Sequence, residues 1–166
     1  MVVSNIRNLW MIHWSSLVEI SLYSCIYFLW KPSKRYGDLL WAAYGIYVAV
    51  WIIGKFSFEP FYFKDVYSGA VSQIIQIGFG SWILFSISKE HKFEWEIDPR
   101  FLVVSGIILY ASAALFLDTM YNVMLINLPR RTMQVILLSN FLFGIVQYVI
   151  FLQAFLCQSK SASIND

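Results

Sequence analysis

Long apolar stretches alternate along the chain with short polar ones. The first, Leu9 to Trp30, reads LWMIHWSSLVEISLYSCIYFLW. As a helix it rises roughly 33 Å, enough to cross the hydrocarbon core of a bilayer. Ser15, Glu19, Tyr23 and Tyr27 recur every fourth residue, with Ser16 beside them, so they form one polar stripe on an otherwise apolar surface. Lys31-Pro32 ends the stretch, because proline disfavours helix in the residue before it.

Four further stretches follow. The second runs from about 39 to 58 and opens with Trp41, an interfacial anchor, while Ala42, Ala43, Gly45 and Ala49 allow close helix packing. Lys55, near its far end, is expected to snorkel to the headgroups. Phe56 to Tyr67 mixes aromatics with Glu59, Lys64 and Asp65 and carries Pro60, so it reads as a segment lying at the interface. The third stretch spans about 68 to 88, where Gly69, Ser72, Gln73, Gln76 and Gly80 share a face. Glutamines facing lipid would leave amides unsatisfied, so that face turns inward, toward the stripe around Glu19. The loop KEHKFEWEIDPR, residues 89 to 100, is the most charged part of the chain, and Asp98-Pro99 looks like an N-cap and first helical position. The fourth stretch runs from about 101 to 124, with Asp118 and Asn122 near its end, and the fifth from about 133 to 157, with Asn140, Gly144 and Gln147 on one face. The tail, 158 to 166, is polar and is expected to be disordered.

Composition supports this pattern. Of 166 residues, 59% are hydrophobic and only 13% charged, against roughly a quarter charged in soluble domains. The fold class expected is all-α: an integral membrane bundle of five transmembrane helices forming a single domain over residues 1–166. A cleavable signal peptide is not expected, since the first stretch is too long and lacks a small-residue cleavage site. The net charge of +2 is scattered, so nucleic acid is not an expected partner. The two cysteines, Cys25 and Cys157, make neither a disulfide framework nor a metal pair. Cys157 is read as an inert thiol rather than a palmitoylation site.

Five crossings put the termini on opposite sides. The first loop, the third loop and the tail hold seven Lys and Arg, and the other side holds five. The positive-inside rule then places the N-terminus outside and the C-terminus in the cytoplasm.

Glu19 is the sharpest candidate. An acid at membrane mid-depth is costly and faces other helices or a wet cavity. It reads either as a proton-titrating or cation-binding carboxylate, or as a structural anchor held by Ser15, Ser16, Tyr23 or a glutamine of the third helix. The candidate intramembrane polar site is Glu19 with Ser15, Ser16, Tyr23, Gln73, Gln76, Asn140 and Gln147. Asp118 reads as an interfacial cap, or a partner for Arg130 or Arg131. His13 lies six residues before Glu19, which is not a one-face ligand spacing, and His91 sits in an open charged loop, so no metal site is expected. The motifs HExxH and GxSxG and a glycine-rich phosphate loop are absent. Neither an enzyme nor a cofactor is expected.

The runs Asn8-Leu9-Trp10 through Val18-Glu19-Ile20-Ser21-Leu22-Tyr23-Ser24, Asp98-Pro99-Arg100-Phe101, and Ser139-Asn140-Phe141 through Phe155-Leu156-Cys157 resemble an uncharacterised family of small polytopic membrane proteins of Bacteroidota, some encoded beside sensor histidine kinases. The resemblance spans most of the chain, and its motifs are largely aromatic and aliphatic. Family members usually begin with two further membrane segments, so this chain would start at the third. The resemblance implies a bacterial inner membrane and matches Glu19 to the family's acid, but carries no activity.

The function expected is a non-enzymatic sensory or partner-binding membrane module. Its loops are too short for an output domain, so it would act through helix contacts with another membrane protein or a second copy. The alternative is a small transporter or channel subunit with Glu19 on the path. Against that, no internal repeat is visible, and transporters are commonly built from repeats.

Overall fold

The computed structural model describes residues 9–57, 66–89, 98–127 and 129–163. These form five α-helices and, among the described residues, no strand: α1 (Leu9–Leu29), α2 (Lys34–Ser57), α3 (Tyr67–Ile87), α4 (Pro99–Asn127) and α5 (Arg130–Ser163). Most of the expected interfacial segment and of the charged third loop, His91 included, lies outside the described residues, as does 164–166.

The helix starts follow local capping chemistry. The Asp98 carboxylate accepts the backbone N–H of Arg100 at 2.8 Å, with Pro99 at the first helical position, as the sequence led us to expect. The Arg100 guanidinium closes on the same carboxylate at 2.8 Å. Burial alone would raise the Asp98 carboxyl, but the side-chain and backbone hydrogen bonds of Arg100 outweigh it and hold the group below its ordinary value.

Three boundaries differ from the sequence expectation. α2 starts at Lys34, not near 39, because Ser33 caps it: its hydroxyl accepts the N–H of Tyr36 at 3.2 Å. The polar first turn, Lys34, Arg35 and Asp38, conceals this start from an apolar-run criterion. α4 runs to Asn127 rather than 124. α5 runs from Arg130 to Ser163, so 158–163 continue the helix instead of forming a disordered tail. No proline or glycine between Cys157 and Ser163 interrupts it.

Among the described residues, four helical segments are long and apolar enough to cross a membrane: Lys34–Ser57, Tyr67–Ile87, Pro99–Met120 and Gln134–Cys157. α1 is not among them. Within its 21 residues it carries His13, Glu19 and the serines 15, 16, 21 and 24.

α3 is the centre of the arrangement, packing against α1, α2 and α4. Among the described residues, α5 packs its backbone against α4 alone. Two buried clusters hold the bundle. Tyr27, Tyr36, Leu40, Ile83, Ile87, Val104 and Ile107 fill one end, and Ile20, Tyr47 and Trp51 fill the α1–α2–α3 seam. Two buried tyrosines satisfy their hydroxyls on α3: Tyr27 donates to the Gln76 carbonyl at 3.0 Å and Tyr36 to the Phe79 carbonyl at 3.2 Å. Gly80 makes the α1–α3–α4 approach feasible, since a Cβ there would sit 2.6 Å from the Tyr27 hydroxyl and 3.0 Å from Ile108. The outward surface is apolar, with Leu22, Ile46, Phe85, Phe116, Leu138 and Phe155 all exposed. Such a continuous apolar surface suits lipid.

Candidate functional site

Four helices line a chamber of about 150 Å³. α1 supplies Ser15, Ser16 and Glu19, and α3 supplies Gly69, Ser72, Gln73 and Gln76. α4 supplies Tyr110, Ala114 and Asp118, and α5 supplies Asn140. Six of the eight residues singled out from the sequence therefore meet on one cavity: Ser15, Ser16, Glu19, Gln73, Gln76 and Asn140. The other two, Tyr23 and Gln147, lie farther along their helices and bond to each other, Gln147 Nε2 donating to the Tyr23 hydroxyl at 2.8 Å.

Asp118 corrects the expectation of an interfacial cap. Its residue is 8% exposed, and its carboxylate accepts Gln73 Nε2 at 2.9 Å across the α3–α4 seam. Gly69 leaves room for it, since a Cβ there would lie 3.3 Å from Asp118 Oδ2. The side chains of Asn122, Arg130 and Arg131 lie outside the described residues.

The donors expected to anchor Glu19 are committed elsewhere. Ser16 donates to the His13 carbonyl at 3.0 Å, the Tyr23 hydroxyl is taken by Gln147, and Gln73 Nε2 is taken by Asp118. Among the described residues, no hydrogen-bond donor or cation closes on the Glu19 carboxylate. Three amide oxygens of the site, Gln73 Oε1, Gln76 Oε1 and Asn140 Oδ1, are buried and find no hydrogen-bond partner among the described residues. Gln76 is only 3% exposed. Two carboxylates and several amide oxygens on one small chamber present negative potential to whatever enters. A cation or a proton donor complements it, and an anion does not.

The chamber adjoins a larger cleft of about 840 Å³ between α1 and α5, and Ser15, Glu19, Tyr110 and Asn140 are walls of both. Along α1 the cleft wall reaches from Ser15 to Leu29 and along α5 from Asn140 to Phe151. At 1.5 Å per residue that is about 20 Å on α1 and about 16 Å on α5. Beyond the chamber the walls are mostly apolar, with Val18, Leu22, Ile26, Phe141, Ile145 and Phe151 prominent. The cleft exists because α5 rests on α4 and meets α1 through the Tyr23–Gln147 hydrogen bond rather than backbone to backbone.

A second polar cluster sits nearer the N-terminal end of α1. Lys55 does not snorkel outward: it is buried, shares a 2.6 Å hydrogen bond with His13 Nδ1 and donates to Ser68 Oγ at 3.2 Å. Trp51 Nε1 donates to the His13 carbonyl at 3.3 Å, and the Lys55 ammonium stands 5.4 Å from a Trp51 ring centre. His13 is fully buried in this cluster, a role its lone position in the sequence did not suggest. Among the described residues, no group of three or more His, Cys, Asp or Glu is placed to hold a metal ion.

Four helices long and apolar enough to span a bilayer, with no strand among the described residues, mark a helical multi-pass membrane protein that holds a polar cavity between its helices. Comparison with protein-family models, with curated proteins and with solved structures returns no match.

Proposed function

We propose that this chain is a non-enzymatic membrane module that takes up a cation-bearing group in the chamber between Glu19 and Asp118 and passes its state to another chain through helix contacts. One observation carries the proposal: the Glu19 carboxylate lines a polar chamber, opposite a second carboxylate, with no donor or cation of its own chain closing on it among the described residues. A half-buried acid set among helices with no donor closing on it is costly, so a counter-charge brought to Glu19 is the stabilising complement. Connections support the relay. The longest run between helices is 88–98, eleven residues, too short to hold an output domain between these helices. In this proposal the output is received by a membrane-protein partner or a second copy.

In the same proposal α1 is a fifth crossing, its polar stripe turned toward α3, α4 and α5. The N-terminus then lies outside and the C-terminus in the cytoplasm. Membership of the Bacteroidota family, and with it a place in a bacterial inner membrane, belongs to the proposal as well.

Thermal unfolding of the protein in lipid nanodiscs tests the binding step, with sodium, calcium and ethylammonium chlorides as probes at matched ionic strength. At least one cation should raise the wild-type midpoint, because a ligand bound only by the folded state stabilises it. The rise should vanish in Glu19→Gln. Equal midpoints with every cation overturn the proposal.

A transporter or channel subunit is the second reading. It is favoured by the donor set itself, since carboxylate and amide oxygens are groups that replace the hydration shell of a small cation. Sodium or proton flux into liposomes that is abolished by Glu19→Gln distinguishes it from binding alone.

A further inference from the structure

We infer that the group entering the chamber is the ammonium head of a single-chain amphiphile whose hydrocarbon tail lies in the cleft between α1 and α5. The inference rests on the chamber accepting a cation, and it adds the class of molecule that carries the cation.

Continuity is the first reason. Glu19 is a wall of both spaces, so a molecule lying in the cleft presents one end to the carboxylates. Shape is the second. The cleft is elongated and open along one side, running about 20 Å along α1, which suits an extended chain better than a compact ligand. Its 840 Å³ falls within the roughly 300–1,000 Å³ common for small-molecule sites.

Charge complementarity fixes which end goes where. The chamber end holds Glu19, Asp118 and the buried Gln76 oxygen, which has no partner among the described residues, and the far end holds Leu29 and Phe151. An ammonium offers donors to these oxygens and positive charge to the Glu19 carboxylate. A phosphate or sulfate head meets the same oxygens with repulsion. The small chamber volume also favours a primary amine over a bulky head. Finally, the cleft lies between helices that do not pack backbone to backbone, so an amphiphile can enter sideways from the bilayer.

Tail and head separate in one experiment. The protein in nanodiscs is loaded at equal mole fraction with tetradecylammonium, ethylammonium or tetradecyl sulfate, and bound molecules are counted by native mass spectrometry. Three proteins are compared: wild type, Glu19→Gln and Gly144→Leu. Gly144 faces the cleft, and a Cβ there would meet only Tyr110 at 3.9 Å, so a larger side chain fills the tail path without a clash at its root. If that variant unfolds, Leu22→Trp on the opposite wall makes the same test.

The expected result is one tetradecylammonium per chain, bound at least about tenfold more tightly than tetradecyl sulfate, with about tenfold loss in each variant. Equal binding of the ammonium and the sulfate overturns the inference and the cation chamber together, because only the tail is then recognised. Ethylammonium binding as tightly as tetradecylammonium overturns the amphiphile and leaves the chamber standing. No binding of either amine overturns both.

Discussion

Two polar clusters lie between the helices of this bundle, and they are built in opposite ways. They are separated by six residues on α1, about 9 Å from His13 to Glu19. In the first, Lys55, His13, Ser68 and Trp51 are joined by hydrogen bonds of their own. In the second, Glu19 and Asp118 share a cavity, and three amide oxygens lack partners among the described residues. A closed polar cluster specifies how helices dock, because each member must find its mate. An open one adds little to docking and leaves its hydrogen-bonding capacity for something else. Depth and residue type do not separate a structural polar group from a receptive one; completeness of the hydrogen-bond partners does.

Substitutions sharpen the contrast, and the largest effect removes both clusters at once. Gly80→Leu drives a side chain into Tyr27 and Ile108 and levers α1 off α3. It should cost about 3 kcal/mol and abolish any cation-dependent stabilisation, read by unfolding in nanodiscs. Lys55→Met breaks only the closed cluster. It should cost about 1–2 kcal/mol while cation-dependent stabilisation persists in the remaining folded protein. Loss of that response at unchanged fold would mean the clusters are coupled rather than independent.

Asp98→Ala serves as a control away from both clusters. Loss of the α4 cap should cost about 1 kcal/mol. The wild-type cap should also weaken in acid. The carboxyl titrates lower in the folded protein than in the unfolded one, so its contribution is complete above the unfolded value and fades as pH falls through the folded value. A pH series of unfolding midpoints for wild type and Asp98→Ala should therefore converge at low pH. The smallest effect belongs to Glu19→Gln without ligand, within about 0.5 kcal/mol of wild type, since no hydrogen bond of the described residues is lost. A cost as large as that of Lys55→Met would make Glu19 a structural anchor after all.

Much of this was legible in the sequence. Apolar run length placed all five helices, and the four-residue spacing of Ser15, Glu19 and Tyr23 marked the correct face of α1. Gln73, Gln76 and Asn140 were found because an amide facing lipid has no partner. Asp118 was misjudged by its closeness to the end of an apolar run. α4 extends to Asn127, which sets Asp118 nine residues from the helix end, about 13 Å. Tyr110 carried no signal, for a lone tyrosine in an apolar stretch looks like any packing aromatic. The Lys55–His13 contact joins residues 42 apart in sequence, and only the docking angle of α1 on α2 brings them together. The start of α2 was readable from Ser33, but its charged first turn drew attention to the apolar run instead.

The decisive observation is the carboxyl infrared difference spectrum of the protein in nanodiscs, recorded with and without tetradecylammonium, for wild type and Glu19→Gln. A carboxyl or carboxylate band that changes on addition of the amine in wild type, and is missing from the Glu19→Gln difference, is the result expected of an open chamber that receives a cation. A spectrum unchanged by the amine, or changed identically in both proteins, would contradict it and leave Glu19 with no part in binding.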